Sequence, residues 1–312
     1  MSAPARPPEG ERSVPLGGTR AAEGAPVLAA DAKRLVGLIG AGIQLSLTPA
    51  MQEEEARQHG LRLHYQLIDL DRTPGSLEQL PALITAARIM GFAGLNITYP
   101  CKQAVLPLLD DLSPEARAMG AVNTVVNRDG RLIGHNTDGS GWAWGFLRAL
   151  HDADLGCVVL LGAGGAGSAI AHAVLGLGAA RLRIVDTDAA RAQGLVDALN
   201  AQHGPRAQAL PDVAQALEGA TGLIHATPTG MAKLPGLPLP ATLLTPSLWV
   251  SEVVYFPIET ELLKAARAVG CRTVDGGAMA VGQAIGAFEL FTGLKADATR
   301  MEQHFHRLLA DR

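Results

Sequence analysis

The chain has 312 residues, 48% hydrophobic and 18% charged, enough to bury a sizeable core and long enough for two domains. Its 26 Lys plus Arg are outweighed by 30 Asp plus Glu and aromatics make up only 4%, which leaves no footprint for a nucleic-acid backbone, no patch for an anionic membrane and no base-stacking platform. Three cysteines, Cys101, Cys157 and Cys271, stand far apart without a CxxC, so the pattern predicts reduced thiols in a cytoplasmic setting and no metal knuckle.

Residues 1–32 are rich in Pro, Gly and Ala and lack apolar periodicity, which predicts a flexible N-terminal extension. No stretch is apolar for long enough to form a transmembrane helix. From Arg34 onward the segments 35–39, 61–68 and 92–97 predict strands, the first of them buried. They alternate with helical patterns at 49–59, opened by Pro49 and stopped by Gly60, and at 76–90, stopped by Gly91. This alternation predicts a parallel-rich sheet wrapped by helices. Residues 121–127 and 131–134, joined by Arg128-Asp129-Gly130, predict a hairpin. Asn136-Thr137-Asp138-Gly139 then opens a helix towards Leu150, the expected inter-domain connector. A second βαβ start spans 156–186, shorter strands follow over 207–254, and two helices are expected at about 279–291 and 298–309.

Within 156–186 an apolar strand, 157–161, runs into Gly162-Ala163-Gly164-Gly165-Ala166-Gly167. A small-residue helix follows, and then a strand that ends on Asp186. This is the dinucleotide-binding layout: glycines permit a tight turn and close backbone approach, and a pyrophosphate sits on the helix N-terminus. The carboxylate is placed to accept hydrogen bonds from ribose hydroxyls and to repel a 2′-phosphate, while Arg191 lies near the adenine end. NAD is therefore expected over NADP.

Polar side chains concentrate where other strands end, at Ser46-Leu47-Thr48-Pro49, at Asn96 to Lys102, and at Asn123-Thr124 with Asn136-Thr137-Asp138. In an open α/β sheet ligands collect there, and neutral hydroxyls and amides suit a small polyhydroxylated molecule. Lys102 and Asp138 are the natural acid/base pair for the proton released when a secondary alcohol becomes a ketone. Each also has a plainer use, Lys102 as a helix-surface charge and Asp138 as an N-cap.

These motifs, in this order, resemble the shikimate dehydrogenase family from about Arg34 to Leu309. The Ser-x-Thr-Pro turn is Ser46 to Pro49, and Gly-x-Asn-Ile-Thr-x-Pro-x-Lys is Gly94 to Lys102. Ala-Val-Asn-Thr-Val starts at Ala121, Asn-Thr-Asp-Gly at Asn136, and Met-x-x-x-Gln is Met279 to Gln283. The resemblance implies that Ser46 and Thr48 bind a substrate carboxylate, assisted by Tyr255. It implies that Thr98, Asn123, Asp138 and Gln283 read ring hydroxyls alongside Lys102, and that Lys102 and Asp138 are catalytic. Gly277 and the Ala226-Thr227-Pro228 turn are implied on the nicotinamide side. Thr48, the Gly134-His135-Asn136 run, Asp186 with Arg191, and the stretch 254–261 are most similar to the NAD-dependent quinate/shikimate dehydrogenases. Departures are Cys101 where the family carries an aromatic, His225 in place of the turn's usual Asn, Leu45 before Ser46, and Gly282 beside Gln283.

The expected fold is α/β in two domains. Residues 33–137 with 276–312 form a substrate-binding catalytic domain, and 138–275 a Rossmann-like NAD-binding domain. The expected reaction is hydride transfer between a nicotinamide cofactor and shikimate or quinate, by a monomer or homodimer without metal, nucleic acid or membrane. The competing readings are an NADP-dependent biosynthetic shikimate dehydrogenase, a dehydrogenase of another cyclic polyol or amino analogue, and a non-catalytic dinucleotide-responsive binding protein.

Overall fold

The computed structural model describes residues 33–72 and 75–311, so the extension expected at 1–32 lies outside the described residues. The chain alternates through β1 (Lys33–Gly40), α1 (Thr48–Gln58), β2 (Arg62–Asp69), α2 (Leu80–Ile89) and β3 (Gly94–Ile97). Three short elements follow, α3 (Cys101–Ala104), β4 (Asp111–Leu112) and α4 (Pro114–Met119), then the hairpin β5 (Thr124–Arg128) and β6 (Arg131–His135). These strands form one sheet in the order β2-β1-β3-β5-β6-β4. The pairs β2–β1 and β1–β3 are parallel, but the hairpin enters antiparallel through β3 and β5, so the sheet is mixed. The helix expected over 76–90 is split. A 3-10 turn at Ser76–Gln79 precedes α2, because Pro81 lacks an N–H and is tolerated only in a first helical turn.

α5 (Asp138–Ala149) leads into the second sheet. That half contains β7 (Val158–Leu161), α6 (Gly165–Gly176), β8 (Leu182–Val185), α7 (Ala189–His203), β9 (Ala207–Ala209) and α8 (Val213–Leu217). It continues with β10 (Gly222–His225), β11 (Trp249–Glu252), α9 (Glu261–Val269) and β12 (Arg272–Val274). All six strands are parallel in the order β12-β11-β10-β7-β8-β9. This is the doubly wound order whose strand sequence reverses between its first and fourth strands, here β7 and β10, and ligands bind at that reversal.

The last two helices, α10 (Gly276–Thr292) and α11 (Ala298–Ala310), return to the first half. Ala287 and Phe291 of α10 pack with Val36, Leu38, Tyr65 and Val126 on a face of the first sheet. Val281, Ile285 and Phe288 of α10 join Met301 and Phe305 of α11 against Leu47 and Met51 at α1. α5 buries its other face in the second half, where Trp142 stacks on Phe146 and Phe146 meets Trp249 edge-on, both at 4.8 Å. Among the described residues no helix is long and apolar enough to cross a membrane.

One polar contact pins the C-terminal helices. The Glu55 carboxylate, 1% exposed, receives Arg300 Nε at 2.8 Å, Arg300 Nη2 at 2.6 Å and the Asp297 amide at 2.8 Å. Glu55→Ala is expected to cost about 3 kcal/mol, the low end for breaking a buried pair because the Arg300 guanidinium still reaches water. Thermal or urea unfolding of the variant checks this.

Candidate active site

The site is built around one carboxylate. Asp138 is the first residue of α5 and is 1% exposed. Its Oδ2 lies 2.5 Å from Lys102 Nζ. Its Oδ1 accepts from Asn123 Nδ2 at 2.8 Å and from Gln283 Nε2 at 2.7 Å. The backbone N–H of Asp138 donates to Asn136 Oδ1 at 2.9 Å, and Asn136 in turn donates to the Ala121 carbonyl. The N-cap position belongs to Thr137, so Asp138 does not serve as the N-cap. Lys102 is not a surface charge either, since its side chain is only 23% exposed and paired.

Strand ends set these side chains. Past β3 the Thr98 amide donates to Ile39 O, the chain turns through a cis Tyr99–Pro100 bond, and α3 begins at Cys101. Buried Cys101 packs with Ile97, Val105 and Val122, while the Val122 amide donates to Lys102 O, which fixes the root of the lysine. Burial pushes the Cys101 thiol up to about 11, so it stays protonated at neutral pH and offers no nucleophile. Asn123 is locked on both sides, with its carbonyl accepting from Ile97 N and its amide donating to His135 O. Behind it the buried Tyr65 hydroxyl donates to Asn96 Oδ1 at 2.7 Å, and Asn96 Nδ2 donates to Thr124 Oγ1 at 3.1 Å.

Gln283 comes from 145 residues beyond Asp138 in sequence. It arrives because α5 and α10 touch through small residues. A Cβ on Gly141 would stand 2.6 Å from the Gln283 amide nitrogen, and one on Gly145 would stand 2.7 Å from the Ala278 Cβ. A side chain on Gly282 would run into the backbone of Gly141.

Ser46 and Thr48 lie at the N-terminal end of α1, where Ser46 Oγ accepts from the Thr48 amide at 3.3 Å. Leu47 between them is buried in the α1–α10–α11 cluster, and Tyr255 packs against that same cluster. The structure thus brings Lys102, Asn123, Asp138 and Gln283 into direct contact, with Thr98 one short turn from Lys102 and Ser46, Thr48 and Tyr255 grouped around α1.

The glycine turn lies beside this cluster: a methyl on Gly165 would come 3.9 Å from Lys102 Cδ. Gly162 has φ +99°, and its Cβ would stand 2.7 Å from Ala226 O, in the turn after β10. A Cβ at Gly167 would collide with Gly162 O, which is close packing of helix on strand. Gly164, in contrast, faces open space, where a ligand backbone fits. Gly165 and Ala166 open α6 with their amide groups, a helix N-terminus suited to a pyrophosphate. Asp186, at the tip of β8, accepts from the Ala163 amide of that turn at 2.7 Å and from Asp188 N at 2.8 Å. Arg191 stands 3.7 Å from Asp186 Oδ1 and 3.2 Å from Asp188 Oδ2. Gly277 lies in the first turn of α10, where a Cβ would meet Phe305 and Ile258.

One group escaped the sequence reading. Thr227 Oγ1 lies 2.5 Å from His225 Nε2, and His225 Nδ1 lies 2.8 Å from Glu252 Oε1, both partners being wholly buried. The available signal was a lone acid closing the strand Trp249–Glu252, opposite His225 in register.

A family model described as the shikimate dehydrogenase substrate binding domain matches residues 38–125. The chain is 58% identical over 270 residues to a shikimate dehydrogenase (NADP(+)) of Streptomyces avermitilis, covering 86% of this chain and 93% of the relative. It is 50% identical over 277 residues to a quinate/shikimate dehydrogenase (NAD(+)) of Corynebacterium efficiens, covering 87% and 97%. Among solved structures it is similar to the quinate dehydrogenase from Corynebacterium glutamicum in complex with NAD. The TM-score is 0.85 at 46% identity, over 89% of this chain and 100% of that one.

The α5–α10 contact yields a direct test. Gly282→Val should force the helices apart and lower stability by about 1–3 kcal/mol, as overpacking does. Gln283→Ala leaves the contact intact and should shift the midpoint far less. Thermal unfolding of the two variants side by side checks the difference.

Proposed function

The chain belongs to the shikimate dehydrogenase family and is a nicotinamide-dependent oxidoreductase acting on shikimate or quinate, and we propose that Lys102 and Asp138 carry its proton chemistry and that NAD is its preferred dinucleotide. The observation that carries this reading is the Lys102–Asp138 pair at 2.5 Å, beside a glycine turn at the reversal point of the second sheet. The residues there fit a dinucleotide: open space at Gly164, helix amides at Gly165 and Ala166, and a carboxylate at Asp186 within reach of ribose hydroxyls. When bound, the nicotinamide supplies the hydride acceptor for oxidation and the hydride donor for reduction.

The protein's own part is the proton and the orientation. Lys102 carries three N–H groups, and Asp138 takes one, leaving the others for the oxygen of the reacting carbinol. In the direction of 3-dehydroshikimate or 3-dehydroquinate reduction, the ammonium group gives a proton to the carbonyl oxygen. In oxidation the amine receives it back. Asn123 and Gln283 saturate Asp138 Oδ1, so Oδ2 is held towards the lysine and the carboxylate cannot rotate away. Thr98 and Gln283 supply hydroxyl and amide groups for ring hydroxyls, whereas both Asn123 Nδ2 hydrogens are donated to Thr137 Oγ1 and Asp138 Oδ1, so Asn123 reads a ring hydroxyl only by releasing one of them. The hydroxyls of Ser46 and Thr48, with Tyr255, form the end that takes the substrate carboxylate. Gly277 and Thr227 border the nicotinamide side.

The relatives carry both dinucleotide names, so the preference for NAD rests on Asp186. Its carboxylate is anchored to the glycine turn where a 2′-phosphate would have to sit. The guanidinium of Arg191 is shared between Asp186 and Asp188. Residues 33–137 with 276–312 are taken as the substrate unit, because α10 and α11 pack on α1 and the first sheet; residues 138–275 are the dinucleotide unit. The buried free thiols Cys101, Cys157 and Cys271 support a reducing, cytoplasmic location.

Initial rates of shikimate and quinate oxidation, each with NAD and NADP, should be higher with NAD; faster turnover with NADP on both substrates would overturn that preference. Asp186→Ala should move the NAD-to-NADP ratio of kcat/KM towards NADP by about tenfold or more, the effect of removing one close like charge. Lys102→Ala should lower kcat by roughly 10²–10⁴ while leaving the dinucleotide Kd unchanged, as loss of a general acid/base does. Unchanged turnover in that variant would remove Lys102 from the reaction.

A further inference from the structure

His225 and Glu252 are a titratable pair at the core of the second sheet, 0% and 1% exposed, and neither has a part in the proton chemistry above. They face each other at the carboxyl ends of β10 and β11, the edge from which the cofactor turn departs. Counting donors sets the direction of the bonds to Glu252. Glu252 Oε1 accepts from the Val253 amide at 2.8 Å and the Val254 amide at 2.9 Å, and Oε2 accepts from the Thr260 hydroxyl at 3.0 Å. Thr260 can donate there because its own oxygen is engaged as acceptor by the Leu263 amide, at the start of α9. A carboxylate only accepts, so the His225 nitrogen 2.8 Å from Oε1 carries the hydrogen, and that nitrogen is Nδ1. In the neutral imidazole Nε2 is then an acceptor, and the group 2.5 Å from it is the Thr227 hydroxyl.

Thr227 is thereby fixed in three ways. Its hydroxyl hydrogen points inward to His225, one lone pair takes the Thr229 amide at 3.3 Å, and its methyl lies 3.0 Å from where a Gly162 Cβ would be. We propose that Glu252 and His225 form a buried positioning dyad that holds the 226–229 turn against the glycine turn and presents Thr227 Oγ1 to the dinucleotide as an acceptor only. The complementary group on the ligand is a donor, a ribose O–H or the carboxamide N–H. Glu252 also binds the first two amides of the segment leading to Tyr255, so one carboxylate sets the backbone on the cofactor side and at the root of the substrate side. The inference rests on the reading that this turn faces the dinucleotide.

The first test needs no ligand. Long-range proton–nitrogen NMR of the histidine-labelled chain should show His225 neutral and protonated on Nδ1. Protonation on Nε2, or on both nitrogens, overturns the dyad, because Thr227 would then be free to donate. The second test is dinucleotide affinity, read from reduced-cofactor fluorescence and so independent of which polyol is turned over. His225→Phe keeps the ring volume and removes both nitrogens. It should weaken dinucleotide binding by about tenfold, as loss of one fixed hydrogen bond does, with the polyol KM within about twofold of the parent. Thr227→Val should show a similar loss, and the double variant should be no weaker than Thr227→Val alone. Losses that multiply, or a His225→Phe chain with lowered thermal midpoint and unchanged affinity, reduce the pair to core packing and overturn the proposal. Should His225→Phe fail to fold, Thr227→Ser against Thr227→Val decides: serine keeps the hydroxyl and the affinity, and equal affinities for the two overturn it.

Discussion

The contact between α5 and α10 is the constraint from which the site follows. Gly141 and Gly145 on one helix meet Gly282 and Ala278 on the other, so the two backbones approach without intervening side chains. Each helix has a second commitment. α5 buries Trp142 and Phe146 in the half that carries the glycine turn, and α10 buries Ala287 and Phe291 on the first sheet. The close crossing therefore couples the two halves at the point where Asp138 begins its helix. A bulkier pair at the crossing would leave both cores intact and still withdraw Gln283 from the carboxylate.

A buried carboxylate is costly unless every acceptor position is used. Asp138 and Glu252 solve this problem in parallel. Asp138 opens α5 just past β6 and Glu252 ends β11, each takes donors on both oxygens, and each is paired with a basic side chain. The difference lies in where the basic partner points. Lys102 is partly exposed and has N–H groups to offer outward, so its pair can do chemistry. His225 is sealed, and its second nitrogen is used by a residue of the same chain, so its pair can only hold a shape.

Much of this was legible in the residues. Residues 35–39 form a strong apolar run and 61–68 alternate apolar with polar side chains, and β1 and β2 lie over them. The glycine turn was readable because strand, turn, helix and acidic tip occur in one stretch of chain, and the structure gives Gly162 and Gly167 steric reasons while Gly164 faces open space. Residues 101–119 fold into α3, β4 and α4, elements too short to carry a period, and they passed unread. The direction of the hairpin was also hidden, since alternation of strands and helices says nothing about an antiparallel pair inserted mid-sheet. Gln283 was identified through the family motif alone. The distance of 145 residues to Asp138 is closed by helix packing, and no local pattern encodes it. Glu252 was missed because one acid at the end of an apolar strand looks like a strand terminus until its buried partner is known.

Dinucleotide choice is decided at a different depth from the rest of the site. Relatives at 58% and 50% identity carry NADP and NAD names, so a scaffold shared this closely does not by itself fix the choice. The Lys102–Asp138 pair, the glycine turn and the buried His225–Glu252 pair all lie where sheet and helix packing leave little room for change. The tip of β8 differs: Arg191 is half exposed, and the residues after Asp186 make only local contacts. Asp186 is the exception within that tip, since its Oδ2 is tied to the Ala163 amide inside the glycine turn. A carboxylate anchored there stays in place whatever Arg191 does, and a guanidinium already shared by two carboxylates is a weak partner for a phosphate. The preference we propose for NAD thus rests on how Asp186 is held as much as on its identity.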